Sequence, residues 1–169
     1  MNRRKNYKKC WIIYVALMFF IGSGWSATVT TVATGFNGSG DLLVDENADI
    51  YNANFGVRLR DANGTSIVKI TPNGQVTQFA TGFVGASGMD LDSAGNIIQA
   101  NINGNSISRV TPNGTVTTIA SEGFNGPVGG AVNSNDQIFV ANCRNNTISR
   151  VENGIGVNFS SSPLFQCPN

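Results

Sequence analysis

A unit of about 41 residues recurs along this chain, and no other feature of the sequence constrains the fold as tightly. Its marker phenylalanines are Phe36, Phe83, Phe124 and Phe165, spaced 47, 41 and 41 residues apart. After each of the first three comes an apolar stretch containing glycine: Gly40–Val44, Gly88–Leu91 and Gly129–Val132. A polar turn follows (Asp45–Asp49, Asp92–Asn96, Asn133–Gln137), then a short apolar run ending in Ala-Asn (Ile50–Asn54, Ile97–Asn101, Ile138–Asn142). The second half of each unit alternates apolar and polar residues, as a half-buried strand does: Ser66–Thr71, Ser106–Thr111 and Thr147–Val151. Pro72-Asn73-Gly74 and Pro112-Asn113-Gly114 then read as hairpin turns, in which Pro presets φ and Gly accepts a positive φ. The third unit keeps Asn153-Gly154 without the Pro. Val76–Thr81 and Val116–Ser121 supply a closing strand.

Four short strands per unit of roughly 40 to 45 residues predict an all-β chain built as β-propeller blades. The blade units run over residues 36–82, 83–123 and 124–164, with the start of a fourth at 165–169. The extra length of the first unit is one insertion, Phe55–Gly64. Composition agrees with a turn-rich β fold: 20 Gly and 22 Asn in 169 residues are too many for helix interiors. Val29–Phe36 matches Val76–Phe83, so the chain opens on an isolated fourth strand of the kind that completes the last blade of a closed propeller. With three full units and the beginning of a fourth, the sequence predicts an open, partial propeller.

Residues 1–26 stand apart from the repeats. Arg3, Arg4, Lys5, Lys8 and Lys9 precede an uncharged run from Trp11 to Ile21, and small residues stand at Gly24 and Ser26. That is the layout of a secretory signal peptide cleaved after Ser26, and it predicts a secreted or periplasmic protein. A membrane anchor is the other reading, but this apolar core is shorter than the roughly 20 residues a span needs. Five of the 11 lysines and arginines lie in this segment, which leaves six against ten acidic residues, a net charge of −4. The six are scattered along the chain. A nucleic-acid partner is therefore not expected, because phosphate binding needs concentrated basic charge. The chain has no His, which excludes a Ser-His-Asp triad and imidazole general-base chemistry within it.

Asp92-Ser93-Ala94-Gly95-Asn96-Ile97 with Ala100-Asn101, and the run Ala141–Val151, resemble NHL-repeat propellers. They are similar also to the gluconolactonase, senescence marker protein and luciferin-regenerating-enzyme-like propellers, and to the streptogramin (virginiamycin B) lyase group. The gluconolactonase resemblance implies a divalent cation such as calcium, held by an acidic residue, an Asn and an Asp from different blades. Asn169 matches the family's Asn that follows a Pro at the head of an inner strand, and no Glu stands beside Phe36 where that family's acidic ligand comes. The streptogramin lyases use a His base, and their reaction does not carry over to a chain without one.

Residues that recur in every unit build the blade. Asn54, Asn101 and Asn142 read as local caps, and Lys69, Arg109 and Arg150 as a solvated row. Residues that break the symmetry are better site candidates. Asp41 and Asp90 lie in first strands, which line a propeller's channel, where the matching positions hold Gly88, Gly129 and Ala131. They either face solvent there or offer hard oxygen ligands to Ca²⁺ or Mg²⁺, with Asp90 and Asn169 as the metal positions. The insertion offers Arg58, Arg60 and Asp61 to a partner, since loops carry function on rigid scaffolds. Triplets Asn-x-Ser/Thr at Asn37, Asn63, Asn113, Asn145 and Asn158 match the glycosylation pattern.

Cys143 follows a second strand and Cys167 sits near the next first strand, which puts both at one end of adjacent blades. A disulfide between them is predicted in an oxidising compartment, two separate thiols being the other outcome. The function these features predict is a binding module for a protein, glycan or small molecule. The alternative is a calcium-type, gluconolactonase-like hydrolase whose remaining ligands lie elsewhere.

Overall fold

The computed structural model describes residues 28–57 and 61–168. The predicted signal segment, Arg58, Arg60 and Asn169 lie outside the described residues. The chain divides at Thr31 into two units, and every strand belongs to the second, Val32–Asn169. That unit is all β. Its twelve strands form three antiparallel sheets of four, each a simple meander.

Blade 1 comprises β1 (Ser39–Val44), β2 (Ile50–Asn54), β3 (Ser66–Ile70) and β4 (Val76–Thr81). Blade 2 comprises β5 (Ala86–Leu91), β6 (Ile97–Asn101), β7 (Ser106–Val110) and β8 (Val116–Ala120). Blade 3 comprises β9 (Pro127–Val132), β10 (Ile138–Asn142), β11 (Thr147–Glu152) and β12 (Ile155–Ser161). The repeat in the sequence is thus a repeat of blades. The turns obey local chemistry: Asp45 Oδ1 accepts from the N–H groups of Asn47 and Asp49, and Asp92 Oδ1 from those of Ala94 and Asn96. Gly74 and Gly114 take φ of 82° and 84° behind their prolines, whereas Asn153 and Gly154 are both left-handed (50°, 81°). Two left-handed residues in sequence make the tight two-residue hairpin, which explains why the third unit needs no Pro.

The blades pack face to face in an open row. Strand alternation divides β6: Ile97 faces blade 1, while Ile98 and Ala100 face blade 3. One core lies between blades 1 and 2 around Ile67, Phe83, Met89 and Val110, and a second between blades 2 and 3 around Ile98, Ile107 and Val140. Residues 32–38 keep the repeat's register without forming a strand. The carbonyl of Val32 lies against Gly74 as those of Phe79 and Ile119 lie against Gly114 and Gly154. Phe55 and Gly56 donate to the carbonyls of Gly38 and Asn37, as Cys143 and Arg144 do to Gly126 and Asn125. The segment occupies the place of a preceding blade's outer strand, and a strand forms only against a ladder partner. Among the described residues no helix is long and apolar enough to cross a membrane.

Candidate functional site

Asp41 and Asp90 act between blades. The inner strands β1, β5 and β9 pair on one side only, so alternate N–H groups on the other side have no ladder partner. Asp41 takes the N–H of its own neighbour Leu42 on Oδ1 (2.8 Å) and that of Met89 in the next blade on Oδ2 (2.7 Å). Asp90 repeats this one blade on, accepting from Leu91 (2.8 Å) and Val132 (2.7 Å). Each carboxylate clamps two inner strands through charge-assisted bonds. Among the described residues, no group of three or more His, Cys, Asp or Glu is arranged to hold a metal ion.

The insertion is fastened at its base. Gly64 N–H donates to the Phe55 carbonyl, and Asn103 of blade 2 donates its amide to the backbone carbonyls of Asp61 and Ala62 (3.1 and 3.0 Å). Arg144 of blade 3 in turn donates to Asn103 Oδ1 (2.5 Å), so one polar chain runs across three blades at this end. Asp61 is therefore placed by its backbone, and its side chain is exposed. Cys143 and Cys167 are joined as a disulfide, and Cys167 N–H donates to Asn146 Oδ1. The recurring asparagines tie strands two and three of each blade. Asn101 donates to Ser108 Oγ (3.0 Å) and Asn142 to Ser149 Oγ (2.9 Å), while Asn54 reaches Ser66 Oγ (3.4 Å).

At the opposite end of the strands a cavity of about 430 Å³ opens between blades 1 and 2. Tyr51 on β2 and Phe79 on β4 form its aromatic wall, edge to face with centroids 4.9 Å apart. Leu91, Ile97 and Pro112 of blade 2 complete the apolar lining, and the polar lining comes from Asp45, Glu46 and Asn47 of blade 1 and from Asp92, Ser93 and Thr111 of blade 2. Tyr51 is buried, and that burial holds its phenol above the ordinary value despite the neighbouring Lys69. Its hydroxyl reaches Asp45 Oδ2 at 3.3 Å. Lys69 stands over the Tyr51 ring, 5.6 Å from the centroid, and is ion-paired with Asp49 at 2.6 Å. The Asp49 carboxylate raises the Lys69 ammonium above its usual pKa.

The row of cations is thus not simply solvated. Arg109 lies 3.5 Å from Asp92, and Arg150, with neutral Asn133 in place of that Asp, pairs with Glu152. Sequence reasoning missed Tyr51, Phe79 and Glu46 as site residues. The signal was there in the aligned turns, where Glu46 stands opposite a glycine, Gly95, while the next interface sets Ser93 against Asp136.

The arrangement is similar to solved β-propellers. It superposes on virginiamycin B lyase from Staphylococcus aureus, solved as a catalytically inactive variant with quinupristin, with a TM-score of 0.57 and 20% identity. That match covers 73% of this chain and 41% of the lyase. A gluconolactonase-like protein matches at a TM-score of 0.57 and 12% identity, over 76% of this chain and 49% of that one. An auxiliary nutrient-binding protein from Bacteroides ovatus matches at 0.62 and 17% identity, over 76% and 33%. The chain spans less than half the length of each of these structures. No protein-family model matches the sequence, and no match to a curated protein was found. At these identities the likeness establishes the propeller fold, and activity is a matter for the site itself.

Proposed function

We propose that this chain is an exported β-propeller binding module, which takes a small organic ligand, or one residue of a larger partner, in the cavity between blades 1 and 2. The observation that carries this reading is the cavity: about 430 Å³, walled by Tyr51, Phe79, Leu91, Ile97 and Pro112, with polar groups from the turns of both blades at its edges. That is the usual build of a small-molecule site, in which apolar walls supply affinity and a few polar groups fix orientation. Binding is favoured over bond-breaking because the chain has no His and because Asp41 and Asp90 are each committed to two backbone N–H groups. Export is supported by the charge and hydropathy layout of residues 1–26 and by a disulfide suited to an oxidising compartment.

The test is chemical-shift mapping of the purified protein against a panel of small amines, alcohols, acids and sugars. Ligand-induced shifts clustered on Tyr51, Phe79, Leu91 and Pro112 are expected. A panel that leaves these four unperturbed overturns the reading. Stoichiometric calcium binding together with lactone hydrolysis would replace it with the metal-dependent hydrolase.

A further inference from the structure

The cavity between blades 1 and 2 exists where a latch is missing. At the next interface Ser93 donates both its N–H (2.8 Å) and its hydroxyl (2.5 Å) to the Asp136 carboxylate, which ties the inner turns of blades 2 and 3 together. The register of the blades puts Glu46 in the place of Ser93 and Gly95 in the place of Asp136. Gly95 offers no side-chain acceptor, and beyond its chain neighbours nothing lies within 4 Å of where its Cβ would stand. Glu46 offers a carboxylate where the latch needs a donor. The turns stay apart, and an exposed carboxylate stands at the mouth of an aromatic cleft.

The charges around the cleft do not cancel. Lys69 is taken by Asp49 and Arg109 lies against Asp92, which leaves Asp45 and Glu46 as the excess. Asp45 is engaged by two turn N–H groups and the Tyr51 hydroxyl. Glu46 makes no hydrogen bond or ion pair among the described residues. Resting on the binding reading above, we infer that the ligand is a small organic cation: an ammonium or guanidinium group held by Glu46, carried on an apolar body that packs against Tyr51, Phe79, Leu91 and Pro112. A cation replaces the missing latch donor and neutralises the excess charge.

The experiment is calorimetric titration with three probes of one shape: phenethylamine, 2-phenylethanol and 3-phenylpropionate, with maltose as a neutral sugar. The amine is expected to bind once per chain and about tenfold more tightly than the alcohol, with the acid weakest. Glu46→Gln should weaken the amine by about the same factor and leave the alcohol unchanged. Added salt should weaken the amine alone. The double change Glu46→Ser with Gly95→Asp rebuilds the latch, Asp136 showing that an Asp accepts the left-handed φ of this turn position (59°), and it should abolish amine binding in a protein that still melts cooperatively. Alcohol or maltose binding as tightly as the amine, or amine binding indifferent to Glu46→Gln, overturns the cation and keeps the binding site. Failure of all four probes to bind the parent protein overturns both.

Discussion

Asp41 and Asp90 look in the sequence like displaced ligands, acidic residues where the other units have Gly, Ala or Leu. In the fold each carboxylate serves two backbone N–H groups, one of them in the next blade. Removing such an acceptor leaves both donors partly desolvated, which costs more than the net worth of either bond. Asp90→Ala should therefore lower stability by about 2 kcal/mol in urea denaturation, with ligand affinity at the blade 1–blade 2 cavity unchanged. Asp136 makes a pH-dependent contribution. Its hydrogen bonds from Ser93 hold its carboxyl below the ordinary value, with Arg109 adding to the effect. A depressed folded pKa gives stability that is present above the unfolded value of 3.8 and is lost as pH falls through the folded value. The acid limb of a pH–stability curve should flatten in Asp136→Asn. Residue identities made these positions visible, but their partners are main-chain groups 48, 42 and 43 positions away, which have no signature in sequence.

The inner strands show why glycine recurs where it does. A Cβ at Gly88 would stand 2.5 Å from the carbonyl oxygen of Val128 and 2.7 Å from the Cα of Gly129, whereas one at Gly130 would meet nothing within 4 Å. Gly88 recurs as Gly129 in the aligned units, whereas Gly130 stands where blade 2 has Met89. Gly88→Ala should cost about 1–3 kcal/mol through forced backbone movement, and Gly130→Ala should be neutral or slightly stabilising. Paired thermal melts of the two variants check this. Eleven of the twelve strands were legible from periodicity and turn chemistry. The twelfth, Ile155–Ser161, was not, because its apolar side chains Val157 and Phe159 remain exposed and give no buried face to read. The cavity was hidden for a related reason: Tyr51 and Phe79 alternate like any core pair, and only the three-dimensional gap beside Glu46 distinguishes them.

At the scale of the whole row, the blades are held by local interfaces, and one covalent tie fastens the stretch after β12 back onto blade 3. The Cys143–Cys167 bond spans 24 residues. By chain entropy a loop of that size is worth about 3 kcal/mol, so reduction should lower the denaturation midpoint accordingly and loosen the stretch after β12 first. Denaturation with and without reductant, alongside a Cys143→Ala variant, measures it. The repeat, the blade count and the open arrangement could all be read from spacing alone. What distinguishes one interface from the next lay in two turn residues among many polar ones.

Every residue of β6 is buried, whereas most of β1 and β12 is exposed. A row in which each unit touches only its neighbours opens from its ends, as a zipper does. Amide hydrogens of β6 and β7 should therefore be the last to exchange with solvent, and those of β1 and β12 the first. A molecule bound between blades 1 and 2 lends blade 1 some of the protection of the middle blade, so exchange should slow in β2 and β4 while β12 keeps its pace. The open row thus carries its own gauge of occupancy: an asymmetry between its two ends that exists only while the cleft is filled.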